Sequence, residues 1–172
     1  YNGICIITFD GEITEIGGSA FHGCSSLTSV TIPDSVTEIG NGAFYDCSSL
    51  ASITMGNSVK EIQDAFIGCT SLTSVIIPNS VTTIGSYAFQ SCSSLTKFSG
   101  KFATEDGRCL IVNGELKSFA PAGLTTYTIP SSVTTIGYGT FHGCTNLTNV
   151  VIPSSVTTIE DYAFFYCTSL TS

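Results

Sequence analysis

The sequence predicts a right-handed α/β solenoid, with short parallel strands on one face, short helical turns on the other and one inserted β-hairpin. Three observations carry this prediction. The phrase Ile-Pro-x-Ser-Val-Thr-x-Ile begins at Ile32 and returns at Ile77, Ile129 and Ile152. A second phrase, Ala-Phe-x-x-Cys, follows several copies of it, and one unit departs from both phrases. A period of about 20 to 50 residues indicates units that bury their apolar faces only by stacking on one another.

Leucines mark where the units begin. The step between them is 23 residues in most cases, 22 from Leu50 to Leu72 and 29 from Leu95 to Leu124. We therefore expect one domain over residues 1–172. The chain begins without a signal-like segment and ends where another unit would start, so we also expect it to be a fragment of a longer protein. The marking positions are Ile4, Leu27, Leu50, Leu72, Leu95, Leu124 and Leu147.

A short strand is expected at the start of each unit. Leu27, Val30 and Ile32 follow the pattern L-x-x-L-x-L, which is typical of a short parallel strand. The residues between them, Ser29 and Thr31, alternate with the apolar ones and should point outward. The proline that follows cannot donate a ladder hydrogen bond and should end the strand.

The second half of each unit predicts helical turns. Val36 and Ile39 should make a second apolar contact on the descending side of the unit. Ala43, Phe44 and Cys47 then recur at spacings of one and three residues, as in one or two turns of helix. Polar residues precede the Ala-Phe pair, where a helix N-cap would lie. These are Asn41, Asp64, Ser86 and Asp161.

The unit from residue 95 to 123 is irregular. Two strand-like runs flank Asn113-Gly114, a pair typical of a type I′ hairpin turn, in which both central residues have positive φ. The unit also lacks the Ala-Phe-x-x-Cys phrase, and Pro121 stands where that ladder would continue. We therefore expect a β-hairpin on the convex side in place of the helical turn.

The chain has eight cysteines. Neighbouring units lie about 5 Å apart along a parallel sheet, so disulfides between units remain an alternative. The regular slot favours reduced thiols buried beside the phenylalanines. A metal site is not expected, because there is no C-x-x-C pair. Six of the cysteines share this slot: Cys24, Cys47, Cys69, Cys92, Cys144 and Cys167.

The charge pattern narrows the possible partners. The net charge of −8 argues against nucleic acid and anionic membranes, and no apolar run is long enough to span a bilayer. Four of the five cations lie in the irregular unit. Lys101, Arg108 and Lys117 are therefore a candidate basic patch for an anionic partner, and the alternative is that they keep a sheet edge from pairing with other chains.

Enzymatic chemistry is not expected. The only histidines, His22 and His142, lie about five units apart and cannot share a metal or substrate. Three glutamates recur one period apart: Glu15, Glu38 and Glu61. Such a row is usually solvated and less often forms a cation site. We predict no catalytic residue, cofactor or metal.

The outward residues of the strands are the candidate partner-binding surface, because solenoids bind along extended faces. This surface is hydroxyl-rich and holds few aromatic anchors. Its residues are Ser29, Thr31, Ser52, Thr54, Ser74, Ile76, Lys97, Thr126, Thr128 and Asn149.

The repeat resembles the BspA-like leucine-rich repeats, a class with 23-residue units found in surface proteins of mucosal bacteria and some protozoan parasites. The match is nearly complete in the units at Leu27, Leu72 and Leu147; Met55-Gly56 replaces Ile-Pro in one unit and Thr140 replaces Ala in another. The resemblance implies an extracellular or cell-surface leucine-rich-repeat solenoid. It also implies a protein partner, either a host matrix or plasma protein or another microbe. The alternative is a rigid spacer that presents other domains.

Overall fold

The computed structural model describes residues 5–9 and 11–171, and within these residues every regular element is a strand. In chain order the strands are β1 (Cys5–Ile7), β2 (Glu15–Ile16), β3 (Leu27–Thr31), β4 (Glu38–Ile39), β5 (Ser52–Thr54), β6 (Glu61–Ile62), β7 (Ser74–Ile77), β8 (Thr83–Ile84), β9 (Lys97–Gly100), β10 (Cys109–Val112), β11 (Glu115–Phe119), β12 (Thr126–Thr128), β13 (Thr135–Ile136), β14 (Asn149–Val151) and β15 (Thr158–Ile159).

The strands that begin the units form the first face of a parallel β-solenoid. They pair as β1-β3-β5, β7-β9 and β12-β14, always in parallel. Ser29 pairs with Ser52 and Ser74 with Lys97, so equivalent positions of successive units lie side by side as predicted. Val30 and Ile32 are buried while Thr31 is exposed, which confirms the predicted alternation. The expected slot at Ile4 lies outside the described residues.

A second face consists of two-residue strands on the descending side. β2, β4, β6 and β8 pair in parallel, and a further sheet runs β10-β11-β13-β15. Ile39 pairs with Ile62 and is buried, in agreement with the apolar contact predicted for this position. Glu38 pairs with Glu15 on one side and Glu61 on the other, so the expected row of glutamates forms.

The predicted helical turns are wrong. In the turn after β4, the amide of Ala43 bonds back to Gly40 O at 3.1 Å, but the next amide, that of Phe44, donates to Ala65 O of the following unit at 2.8 Å. This alternation needs left-handed residues, and Asp46 has φ +55°. A helix would direct every amide back along its own axis. Here every second amide points along the solenoid axis instead, so the turns are held by their neighbours.

The N-cap interpretation is wrong for the same reason, since no helix exists within the described residues for these side chains to cap. Asp64 shows what such a residue does instead. Its Oδ1 accepts the backbone amide of Tyr87, one unit further on, at 2.8 Å. The side chain thus supplies an axial hydrogen bond between two successive units.

Phenylalanine rings form the centre of the core. Phe21, Phe44, Phe66 and Phe89 stack in order, with ring centroids 5.2, 5.3 and 5.5 Å apart. These spacings match the rise between strands of a sheet, so the ring stack and the two strand faces share one period. Phe44 and Phe66 are fully buried. Burial of each such ring contributes roughly 1.5–3 kcal/mol.

The cysteine slot holds free thiols in all its described members, as favoured from the sequence. The sulfurs also make hydrogen bonds that the sequence did not predict: Cys47 Sγ donates to Phe21 O at 3.1 Å, and the same bond recurs along the ladder. Burial is incomplete at the ends. Cys24 is exposed and Cys167 is half-buried, so the expectation of burial is wrong for Cys24. Its ring partner Phe21 is also only half-buried.

The predicted hairpin is confirmed. β10 and β11 pair antiparallel around Asn113 and Gly114, whose φ angles are +52° and +81°. Its position differs from the prediction, because β11 also pairs in parallel with β13. The hairpin therefore replaces a two-residue descending strand rather than the turn. The described core divides here into two clusters, one reaching Ala120 and the other beginning at Cys109.

Candidate functional site

The outward face of the strands is open to solvent, as the alternation predicted. Of the ten residues that the sequence nominates, all are exposed except Ser29, which is half-buried. Ile76 is 66% exposed and is the largest apolar side chain among them. Strand pairing on this face is interrupted between β5 and β7 and between β9 and β12, so the ten residues lie on three separately paired groups of strands. Whether they bind a partner stays a prediction.

The three cations predicted as a basic patch make hydrogen bonds or an ion pair within the protein. Lys101 Nζ donates to the carbonyls of Asn79 and Val81. Arg108 donates to Ala120 O at 3.1 Å and Ala122 O at 2.9 Å. Lys117 pairs with Glu115 at 2.7 Å. Their role toward an anionic partner stays a prediction, and any such partner would compete with these internal acceptors.

Aromatic side chains collect on the turns, on a part of the surface that the sequence interpretation did not nominate. Tyr87, Tyr138 and Tyr162 form a connected row, with centroid distances of 4.7 and 5.3 Å. Phe165 and Tyr166 extend the row and are 45% and 63% exposed. The row was missed because these residues occupy variable positions of the repeat, which carry no periodic signal.

A cleft opens in this aromatic row because the irregular unit has a shortened turn. Leu116 and Ile136 are paired in the second sheet, yet Leu116 precedes the next unit's leucine by eight residues and Ile136 by eleven. Three residues of the turn are therefore missing. The turn before the gap carries Tyr87 and the turn after it carries Tyr138, and these two rings meet edge to face with their centroids 4.7 Å apart.

Thr140 adapts the backbone at this gap. It stands where most units have alanine, and it is buried. Its hydroxyl lies 2.8 Å from both Leu116 O and Gly137 O, each of which also accepts a backbone amide, so the side chain adds a donor that alanine lacks. This departure from the repeat was visible in the sequence.

We call this region the tyrosine cleft and define it by Asp64, Tyr87, Gln90, Tyr138, His142 and Glu160. It comprises two adjoining cavities of about 470 and 370 Å³, and both tyrosine rings line both cavities. The larger cavity contains the two carboxylates and the smaller one the histidine and the glutamine. The cleft thus joins an acidic half to an aromatic half.

Some polar atoms of the cleft already have hydrogen-bond partners within the protein. Asp64 Oδ1 holds the Tyr87 amide at 2.8 Å and Glu160 Oε2 holds the Tyr138 amide at 2.9 Å. Burial raises the pKa of the Asp64 carboxyl, against the opposing effect of Lys117. His142 Nδ1 is buried and has no hydrogen-bond partner among the described residues.

Within residues 5–9 and 11–171 there is no group of three histidine, cysteine or acidic side chains arranged to hold a metal ion. In the same part of the chain, no helix is long and apolar enough to cross a bilayer. The two histidines lie on distant turns: His22 contacts Tyr45, while His142 contacts Phe165 and Tyr166.

Parallel strands, repeated leucines and axial hydrogen bonds define the chain as a leucine-rich-repeat solenoid. A family model described as a BspA type leucine rich repeat region matches residues 2–105 and 115–172 in six copies. The chain belongs to this family. The residues between the two matched segments include all of β10 and the hairpin turn, so the irregular part of the unit is also where the family pattern is interrupted.

Solved structures show the same fold. A leucine-rich repeat protein from Eubacterium ventriosum is 28% identical, with a TM-score of 0.57 over 88% of this chain and 48% of that one. The leucine-rich repeat protein of T. pallidum is 28% identical, with a TM-score of 0.53 over 96% and 77%. The pneumococcal vaccine antigen PcpA is 22% identical, with a TM-score of 0.78 over 93% and 42%. No curated protein sequence matches.

The chain therefore spans about half the length of two of these structures. Leucine-rich repeats of this family indicate a protein-interaction module, and such proteins are typically non-enzymatic.

Proposed function

We propose that the chain is a non-enzymatic protein-binding module of a cell-surface or secreted protein, which adheres to host matrix or plasma proteins or to partner cells. The observation that carries the proposal is the row of contacting aromatic rings on the turns, formed by Tyr87, Tyr138, Tyr162 and Phe165. Aromatic side chains are the residues most enriched among the energetically dominant positions of protein interfaces. Family membership supports the same conclusion.

Two surfaces are available to a protein partner. The strand face offers hydroxyls and a few aliphatic side chains, which suit a broad contact of modest affinity. The turn face offers rigid rings, which lose little conformational entropy on binding. We therefore place the main contact on the turn face and a secondary one on the outward strand residues.

A rigid spacer is the second candidate, favoured by the continuity of the axial contacts. The turns that carry Phe21, Phe44 and Phe66 each donate amides to the next turn, and the phenylalanine stack runs through four successive units. Such an array resists bending, because bending would separate rings and hydrogen bonds together. A spacer would use this stiffness and would need no binding surface.

An immobilised-ligand assay separates the two candidates. The chain is passed over fibronectin, fibrinogen and other matrix and plasma proteins, and binding is measured against concentration. Saturable binding that is lost in Tyr162→Ser/Tyr166→Ser supports the turn face, whereas loss in Thr54→Arg/Ile76→Arg moves the contact to the strand face. Both pairs lie on exposed positions, so thermal unfolding should be unchanged. No saturable binding to any of these proteins would contradict the module and favour the spacer.

The proposed location is tested separately. Brief protease treatment of intact source cells, followed by mass spectrometry of the released peptides, should recover peptides from this chain before those of cytosolic marker proteins. Recovery only after cell lysis would contradict a surface position, and recovery from the culture medium alone would indicate a secreted protein.

A further inference from the structure

The geometry points to a specific occupant for the tyrosine cleft: a basic peptide segment of the protein partner, with one arginine or lysine side chain held between the tyrosine rings and the carboxylates. The inference rests on the proposed function, since it names the chemistry of the partner. The three-residue shortening of one turn creates this cleft. We infer that the cleft is the part of the surface that selects the partner.

The acidic half of the cleft fits a cation. Asp64 and Glu160 line the same cavity from opposite sides of the gap. Each carboxylate uses one oxygen to hold a tyrosine amide, and within the described residues its second oxygen accepts no hydrogen bond. Carboxylates fixed in this way need no rearrangement to receive a guanidinium or an ammonium group, whose charge-assisted hydrogen bonds are among the stronger ones in proteins.

The tyrosine rings also attract a cation. A cation within about 6 Å of an aromatic centroid is attracted by the ring quadrupole. Tyr87 and Tyr138 meet edge to face with centroids 4.7 Å apart, and both rings line both cavities. A planar guanidinium stacked on one of these faces would also reach the carboxylates in the same cavity.

The nearby cation does not fill this place. Lys117 acts on Asp64 from the hairpin, but its ammonium group is paired with Glu115 at 2.7 Å. Asp161 adds a further acid beside Tyr138. The surroundings of the cleft therefore remain net negative, in a chain whose net charge is −8, so long-range attraction also favours a basic partner.

The aromatic half fits the rest of a peptide. Ile67, Tyr162 and Phe165 line the smaller cavity and offer apolar contact to the residue next to the cation. His142 lines it too, and its buried Nδ1 has no partner among the described residues.

The test uses acetyl-Leu-Arg-Leu-amide as the probe and the same peptide with citrulline as its neutral counterpart. Amide shifts of the uniformly ¹⁵N-labelled chain are followed by NMR during each titration. We expect saturable shifts at Tyr87 and Tyr138, with an affinity for the arginine peptide at least about fivefold above that for citrulline. Asp64→Asn/Glu160→Gln keeps the oxygens that hold the tyrosine amides and should abolish the preference.

Asp34→Asn/Glu12→Gln is the matched control. It removes two charges as well, and Asp34 Oδ1 holds the amide of Asn57 in the next unit just as Asp64 holds that of Tyr87. This variant should keep the preference for arginine. Equal affinity for the two peptides would overturn the inference, and so would an equal loss of the arginine preference in both double variants. Shifts at the cleft with maltotriose, and none with the arginine peptide, would also overturn it.

The two proposals fail separately. If the chain binds an immobilised protein but Asp64→Asn/Glu160→Gln binds it equally well, the cleft inference is wrong and the module stands. If no immobilised protein binds, the module is contradicted, and the peptide titration still decides whether the cleft selects a cation.

Discussion

The thiol of Cys69 lies 3.2 Å from the carbonyl oxygen of Phe44, one unit earlier in the solenoid. The amide of Cys47 donates to the same carbonyl at 3.2 Å, so this oxygen accepts one bond from within its own unit and one from the next. The cysteine slot is therefore a polar link between units as well as a small apolar filler. This arrangement keeps the thiols protonated, because a thiolate could not donate.

Thiol accessibility should follow position along the ladder. At pH 8, Ellman's reagent should modify exposed Cys24 in the native protein, whereas buried Cys69 and Cys92 should react only after unfolding, since the reactive form is the solvent-exposed thiolate. Mass spectrometry of the labelled peptides identifies the sites. Rapid native labelling of Cys92 would show that the ladder opens without global unfolding.

Stability should fall at alkaline pH. Burial raises the pKa of Cys47 to about 11 and the pKa values of Cys92 and Cys109 to about 12, from 9.0. The folded state therefore holds protons that the unfolded chain releases, and the resulting stabilisation is complete below about pH 9 and is lost as the pH rises toward 11–12. Urea unfolding at several pH values measures this. Cys92→Ala should flatten the decline, and an unchanged slope in that variant would contradict the assignment.

The phenylalanine stack should dominate stability. Phe66→Ala removes a fully buried ring with neighbours on both sides, and we expect a loss of about 3–5 kcal/mol in the free energy of unfolding. Phe165→Ala, in which the ring is 45% exposed, should change it by less than about 0.5 kcal/mol. Similar losses in the two variants would show that the stack is not the main source of stability.

The hairpin turn should depend on Gly114. Its φ of +81° lies in the left-handed region, and a Cβ there would come within 2.9 Å of Thr134 Oγ1. Gly114→Ala should therefore cost about 1–2 kcal/mol, measured by chemical unfolding. Gly17→Ala is the control, because that position has open space and no positive φ. A neutral effect at Gly114 would mean that the turn can change type.

Arg108 should be structural. Its guanidinium donates to the carbonyls of Ala120 and Ala122, at the point where the shortened turn returns to the first face. Arg108→Gln should lower the free energy of unfolding by about 1–3 kcal/mol, and exposed Lys60→Gln should have little effect. Unchanged stability of Arg108→Gln would leave the arginine free for a partner and favour the basic patch predicted from the sequence.

The repeated letters predicted the strands well because each is fixed by the same requirement in every unit. Val30 and Ile39 recur because they face the core, and Asn113-Gly114 predicted its hairpin because few other pairs tolerate that backbone. The turn around Phe44 was assigned wrongly because spacings of one and three residues fit both a helical turn and an alternating backbone. The direction of the Phe44 amide separates these two structures, and that direction depends on the neighbouring unit.

The tyrosine cleft could not be predicted in this way. Tyr87 and Tyr138 are separated by more than two repeat periods in sequence, and the shortened turn of the unit between them lets their rings meet. A pattern search detects what recurs, whereas the cleft results from what is missing. The substitution of threonine at position 140 and the unequal spacing to Leu124 and Leu147 were the available clues.

The shortened turn also makes a recess out of the surfaces of its neighbours. It holds three residues fewer than most regular turns, so side chains of the turns on either side line the recess. In a stack held together by axial hydrogen bonds, the same deletion in another unit would open a recess with different walls, so the location of a deletion is itself a way of encoding specificity.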